Sequence, residues 1–259
     1  MKSELRRSAH RLLLYAVKGG LDMREAITFD RERHRWLDFV IRVFIALLLI
    51  FLFLVFTEES IGKAQEKLTP EEILAAEQRL SDLGYWIGAP DGIFDGISKH
   101  ALIAFQKIEG RKRTGKLTSD ELEALRLAIR PEPRDSTYPH IEVDLTRQVL
   151  IFVDDQGQAS RILPVCTGNE KAYLDDGKWA RAHTPRGKFV VTRKIEGWRL
   201  SRLGLLYYPN YIFNGIAIHG SPFIRTYPDS HGCIRIPMFA SKEVSELTPV
   251  GTIVVVYDS

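Results

Sequence analysis

Three hydrophobic periods divide the chain. Residues 43–56 read VFIALLLIFLFLVF, apolar on every side. From Ile73 to Ile129 apolar positions recur every three or four residues, with Ile73, Ala76, Leu80 and Leu83 forming one helical stripe. From about residue 138 the period shortens to two. Ile141, Val143 and Leu145 alternate with polar residues, Val149, Ile151 and Val153 repeat the pattern, and Asp154-Asp155-Gln156-Gly157 supplies a hairpin turn. Further strands are expected at 161–166, 188–195, 214–219 and 252–257, with a helix over 239–247. Several short strands between turn signals suggest a β-sandwich or barrel-like domain.

Local signals place the helix ends. Thr69-Pro70-Glu71-Glu72 reads as an N-cap, a proline at the first helical position and a capping-box acid. Gly84 closes that helix, and Pro90-Asp91-Gly92 and Asp95-Gly96 mark turns. Ser98 is expected to cap a second helix carrying Ala101, Leu102 and Phe105, and Thr118-Ser119-Asp120-Glu121 to start a third. Asp91 and Asp95 read as turn formers rather than calcium ligands, since the rest of an EF-hand loop is missing. Arg130-Pro131-Glu132-Pro133-Arg134-Asp135-Ser136 reads as a linker.

The apolar run at 43–56 is short of a full span, and extending it back to Trp36 brings in Asp38 and Arg42, spaced to pair. With RERHR upstream and TEES downstream, the expectation is a single N-terminal transmembrane helix, 36–57, with the N-terminus inside the cytoplasmic (inner) membrane and the later domains extracytoplasmic. A cleaved signal peptide lacks a clear cleavage site here, and a buried core helix sits poorly beside a basic flank. The expected organisation is a basic segment 1–35, the membrane helix, a linker 58–68, an all-α three-helix domain 69–130, a linker 131–137, and a mainly-β, sandwich-like domain 138–259.

Composition adds exclusions. Of 259 residues, 45% are hydrophobic and 27% charged, which argues against wholesale disorder. Two cysteines rule out a disulfide scaffold and a four-cysteine zinc site. Residues 1–42 hold 10 Lys/Arg against 6 Asp/Glu, whereas the remainder holds 26 against 27. The body of the protein therefore has no net positive charge with which to bind nucleic acid.

Candidate chemistry lies in IAIHGSPFIRTYPDSHGCIRIP, residues 216–237. His219 ends an expected strand, Gly220 lets the chain turn, and Cys233 follows within Ser230-His231-Gly232-Cys233-Ile234-Arg235. A cysteine is nucleophilic as thiolate, and an imidazole can take its proton. Backbone N–H groups around Gly232 and Cys233 suit an oxyanion, and Arg235 offers a fork for a carboxylate. A zinc site from His219, His231 and Cys233 lacks an obvious fourth ligand.

The whole motif, H-G followed by S-H-G-C-I-R, resembles the signature of the L,D-transpeptidase (YkuD-type) catalytic domain. PVCTGN and HTPRGKFVV upstream fit the same pattern, so the resemblance covers about residues 138–257. Two features depart from it: a short His-to-Cys spacing, and Cys166 where small hydroxyl residues are common. Residues 71–128, through LGY, the DG turns and AL..FQ, resemble a peptidoglycan-binding type 1 domain.

Together the resemblances imply a cell-wall transpeptidase that needs no cofactor and no metal. Its partners would be peptidoglycan stem peptides and glycan, and a membrane through the N-terminal helix. Cys233 would attack a tetrapeptide stem with His219 as base, oriented by the Gly220 carbonyl. N–H groups near His231, Gly232 and Cys233 would hold the oxyanion. Ser230 and Arg235 would contact substrate. Release of D-Ala and transfer to a neighbouring stem would make a 3–3 cross-link. The alternatives are an L,D-carboxypeptidase, an enzyme attaching protein to the wall, and a non-catalytic wall-binding protein. A sortase is more distant, since its cysteine lies outside an SHGC context. Cys166 is either a buried strand residue or a redox partner for Cys233.

Overall fold

The computed structural model describes residues 39–51 and 68–259. Residues 1–38 and 52–67, which include the expected basic segment and most of the first linker, lie outside the described residues. Residues 39–51 form a helix, α1, within a unit separate from the one that begins at Glu66. This corrects the transmembrane expectation. At 1.5 Å per residue the described residues 39–51 extend about 20 Å, against about 30 Å of bilayer hydrocarbon. No helix among the described residues is long and apolar enough to cross a membrane. Residues 36–38 and 52–57 of the expected span lie outside them.

The unit from Glu66 onward opens with three helices. α2 (Pro70–Asp82) carries the full capping box, with Thr69 Oγ1 accepting from the Glu72 N–H and the Glu72 carboxylate accepting from the Thr69 N–H. α3 (Gly96–Ile108) starts three residues earlier than its sequence suggests, because Asp95 rather than Ser98 caps it, accepting from the Ile97 and Ser98 N–H groups. Ser98 instead donates to buried Glu77 at 2.6 Å, which also accepts from the Asp91 and Gly92 N–H groups and so folds the DG turn. α4 (Ser119–Leu127) is capped by Thr118.

Two mixed sheets follow. The first orders β3 (Ala159–Pro164), β2 (Val149–Val153), β1 (His140–Asp144), β12 (Ile253–Tyr257) and β6 (Gly187–Val190). The second orders β11 (Ile234–Pro237), β10 (Ile216–Ser221), β9 (Gly204–Phe213) and β7 (Arg193–Lys194), with β8 (Trp198–Ser201) also on β9. β1 with β12 and β10 with β11 are the parallel pairs. β4 (Ala172–Asp175) and β5 (Lys178–Arg181) make a separate hairpin. Ile141, Val143, Leu150 and Phe152 of the first sheet meet Ile212, Ile218, Ile234 and Ile236 of the second, and α5 (Ser241–Leu247) adds Val244.

The helices cover the other face of the first sheet. Val149, Ile151, Val153, Ala159 and Ile162 share one core with Leu80, Leu83, Leu102, Phe105 and Leu125. The alternation expected at Val149, Ile151 and Val153 does not hold, because Leu150 and Phe152 between them are apolar too; VLIFV is apolar without a break, the mark of a strand buried on both faces. After α2 the chain joins the edge strand: the Ile162 N–H donates to the Gly84 carbonyl at 2.8 Å and the Trp86 N–H to the Ile162 carbonyl at 2.9 Å. Gly84 has φ +86°, and a Cβ there would lie 2.7 Å from the Ala159 carbonyl oxygen, so the approach needs glycine. The Pro-rich segment is also held, with the Arg134 and Asp135 N–H groups donating to buried Glu142.

Lys107 of α3 is a fully buried charged group in this contact. It is 1% exposed, and its Nζ donates to the Gln148 and Val165 carbonyls at 2.9 and 2.8 Å. Burial pushes its pKa down to about 7. Lys107→Met keeps the stem but leaves both carbonyls without their donor. Urea unfolding should show a loss of about 1–3 kcal/mol; unchanged stability would mean that the ammonium contributes nothing net.

Candidate active site

β10 and β11 run parallel in the register Ile218 to Ile234 and His219 to Arg235. Ile218, Ile234 and Ile236 enter the sandwich core, so by strand alternation His219 and Arg235 face the other way. Cys233 comes one residue before β11 and packs on Leu206, Tyr211 and Ala217, on that same side. The imidazole and the thiol thus share one face of two adjacent strands. They sit on the floor of a groove of about 880 Å³, which Ser230, His231 and Arg235 also line.

Backbone groups orient both reactive side chains. His219 is 4% exposed, and its Nδ1 lies 2.9 Å from the Gly220 carbonyl oxygen. With Nδ1 donating its proton there, Nε2 is the unprotonated nitrogen. Burial lowers the His219 pKa to about 4, opposed by that hydrogen bond and helped by the positive Arg235. Burial also pushes the Cys233 thiol up, opposed by the Ala217 N–H and by Arg235. Its Sγ lies 3.8 Å from the Gly215 carbonyl oxygen. The resting pair is neutral thiol and neutral imidazole. Gly220 is hemmed in from behind: a Cβ would lie 2.0 Å from Ser241 Oγ at the start of α5.

The loop before Cys233 is braced from within. Ser230 is buried, its hydroxyl donating to the Cys233 carbonyl at 2.6 Å and accepting from the Gly232 N–H at 3.0 Å. The Ser230 hydroxyl thus braces the loop while Ser230 also lines the groove, and the Gly232 N–H is bonded to Ser230. Gly232 has φ +135°, and a Cβ would lie 2.7 Å from the His183 carbonyl oxygen. His231 is exposed and stacks on Tyr173 at 4.6 Å between ring centroids. Arg235 is half-buried, with Nη1 3.4 Å from the Asp229 carbonyl oxygen.

Thr184, Asp175 and Arg202 were not singled out by the sequence. Thr184 of HTPRG is buried, donates to the Gly232 carbonyl at 2.7 Å and accepts from the Gly168 N–H at 2.9 Å. Asp175 and Arg202 pair at 2.7 Å, joining the β4–β5 hairpin to the turn between β8 and β9, and both line the groove. Trp198 and exposed Leu200 and Leu205 line it too. Tyr207 stacks against Trp198 at 4.7 Å, outside the lining. Cys166 is fully buried, its backbone N–H and carbonyl bonded to the carbonyl and N–H of Arg235, its thiol directed at the Tyr227 carbonyl at 3.4 Å. Both cysteines are free.

Comparison with known proteins agrees with this layout. The L,D-transpeptidase from Xylanimonas cellulosilytica is 40% identical, covering 74% of this chain and 96% of that one, with a TM-score of 0.69. The chain belongs to the L,D-transpeptidase family. The model of the L,D-transpeptidase catalytic domain (YkuD) matches residues 138–256, and that of the "Putative peptidoglycan binding domain" matches residues 69–125. An L,D-transpeptidase from Stackebrandtia nassauensis is 24% identical over 73% of this chain and 92% of that one, with a TM-score of 0.42. No curated protein matches. The function is that of a cell-wall L,D-transpeptidase.

In this transpeptidase the raised thiol pKa has a direct consequence. The thiolate fraction of Cys233 at neutral pH is below that of an ordinary cysteine. Alkylation of Cys233 by iodoacetamide, followed by mass spectrometry, should still be accelerating as the pH rises past about 9. A plateau below pH 7 would reveal a thiolate–imidazolium pair and overturn the neutral resting state.

Proposed function

We propose that Cys233 is the nucleophile and His219 the general base of this transpeptidase, acting on the tetrapeptide stem of peptidoglycan. The observation that carries the reading is their common face on β10 and β11, with Nδ1 of His219 held by the Gly220 carbonyl. His219 Nε2 takes the thiol proton as Sγ bonds to the carbonyl carbon of the third stem residue. The electron pair moves to the carbonyl oxygen, and the N–H groups of His231 and Cys233 are the donors proposed to receive it, Gly232 being otherwise engaged. The C–N bond to D-Ala then breaks, and His219 returns the proton to the leaving amine. An amine of a neighbouring stem attacks the thioester, His219 takes its proton, and the thiol is restored with a 3–3 cross-link formed. Arg235 would hold a substrate carboxylate while its charge disfavours protonation of His219. Such a reaction belongs on the wall side of the cytoplasmic membrane, and the helical domain would keep the enzyme at its polymer.

Full-length protein, reduced and incubated with a disaccharide-tetrapeptide, should yield a dimer lacking one D-Ala. Cys233→Ala and His219→Ala should each lower its rate by at least about a thousandfold. Tripeptide monomer alone would make water the acceptor and the enzyme a carboxypeptidase. Turnover that survives Cys233→Ala would overturn the assignment of the nucleophile.

The pH dependence has a definite sign. His219 is a base only when neutral, and its pKa is depressed to about 4. Acylation should therefore persist well below pH 6.5 and be lost as the pH falls through about 4. An acid limb near 6.5 in the rate of acyl-enzyme formation would show that His219 has its ordinary basicity in the working enzyme.

A further inference from the structure

A second cavity, of about 300 Å³, lies where the start of α3 meets the ends of β10 and β11. The helical domain supplies Asp95, Gly96, Ile97 and His100, and the catalytic domain supplies Ser221, Pro222, Pro237, Met238 and Phe239. Ser221 and Pro222 also line the groove over Cys233, so the two cavities adjoin through a shared wall. We propose that this second cavity is a subsite for the sugar that carries the stem peptide, an N-acetylated hexosamine ring. The proposal rests on the stem-peptide reading above.

The chemistry of the walls suits a neutral sugar. Ile97, Pro222, Pro237, Met238 and Phe239 give the cavity apolar walls, and His100 meets Phe239 edge-on at 5.8 Å between centroids. A pyranose ring offers C–H groups to such a surface and hydroxyl or acetamido groups to a polar fringe. The polar fringe here is His100, since the Ser221 hydroxyl donates to the Phe223 carbonyl and accepts from the Phe223 N–H, each at 3.3 Å. His100 Nδ1 is held by the Gly96 carbonyl at 2.7 Å, which leaves Nε2 for a ligand. An anion is not what the cavity is built for. The start of α3 is already capped by the Asp95 carboxylate, which takes the Ile97 and Ser98 N–H groups.

Length agrees. Three stem residues separate the sugar from the scissile carbonyl, an extended reach of about 10 Å. From His219 to Ser221 the strand advances about 7 Å, and Pro222 lies beyond. A stem with its third carbonyl at Cys233 therefore has the reach to place its sugar in the second cavity. Both domains would then hold one substrate at two points.

The test compares two donors, disaccharide-tetrapeptide and the free tetrapeptide, on the full-length enzyme. His100→Ala and Phe239→Ala should each raise KM for the disaccharide donor about tenfold with kcat unchanged. Both constants for the free tetrapeptide should stay within about twofold. Equal changes on the two donors, or no change on either, would overturn the subsite. If Phe239→Ala lowers the melting temperature sharply, His100→Ala carries the comparison, since its side chain is only half-buried. No D-Ala release from either donor by the unaltered enzyme would instead mark failure of the stem-peptide reading. The subsite then stands or falls on titrating the N-acetylglucosamine–N-acetylmuramic acid disaccharide into full-length Cys233→Ala. His100 ring resonances should shift, and should stay still in the Phe239→Ala double variant. No shift in Cys233→Ala alone overturns the proposal.

Discussion

Strand β2 with its neighbour β3 carries apolar side chains on both faces of the first sheet, and the rest of the arrangement follows from that. One face of β2 and β3 closes the catalytic sandwich, and the other presents Val149, Ile151, Val153 and Ile162. Left in water, those four side chains would forfeit roughly 1.5–3 kcal/mol each. Their sum is comparable with the entire stability of a typical domain. The three helices are thus the second half of a core, and the wall-binding domain is not an appendage on a flexible tether. This is also why the Pro-rich segment is pinned by Glu142 and the LGY turn has no room for a side chain at Gly84.

The same contact reaches toward the chemistry through hydrogen bonds. An ammonium taken out of water is costly, and the depressed pKa of Lys107 shows that its two carbonyl partners do not fully offset that cost. Those carbonyls belong to Gln148 and Val165, at the ends of segments that build the active site. Gln148 bonds through its side chain to both the N–H and the hydroxyl of Thr167, and the Thr167 carbonyl accepts from Ser230. Cys166, beside Val165, is paired with Arg235. Ser230 then holds the Cys233 carbonyl. Helical domain and nucleophile loop are joined by a short, buried polar path, each member of which is a structural brace.

Much of this was legible in the chain. Capping signals placed α2 and α4, and the strand expected to end at His219 corresponds to β10, whereas β11, which brings Cys233 beside it, was not among the expected strands. What escaped reading had physical causes. Ser98 and Asp95 both suit an N-cap, and only the buried partner Glu77 decides between them. The apolar run at 43–56 invited a membrane span, but no helix among the described residues is long and apolar enough to cross a membrane. VLIFV carried its own message, since unbroken apolarity marks a strand covered twice. Thr184 was hidden because its partners, Gly168 and Gly232, lie 16 and 48 residues away. The role of Gly232 turned on a hydrogen bond of its own N–H, which no spacing reveals.

The buried floor also sets how the reaction must be driven. A thiolate–imidazolium pair beside Arg235 would have to be maintained in a site that shields it from water, and burial moves both pKa values against it. The neutral pair avoids that cost at rest and defers charge separation to the moment of attack. Stabilisation must then come from groups that act on the tetrahedral oxyanion rather than on the free thiolate. Fixed N–H donors do this without reorganising, provided that the loop carrying them cannot move. That requirement accounts for the density of bracing around Ser230, Gly232 and Thr184, where each polar backbone group of Gly232 has a side-chain partner. It also gives substrate binding a catalytic part. A nucleophile that is not ionised beforehand gains its reactivity from the placement of the carbonyl, so the contacts that fix the scissile bond over Cys233 contribute to rate as well as to affinity.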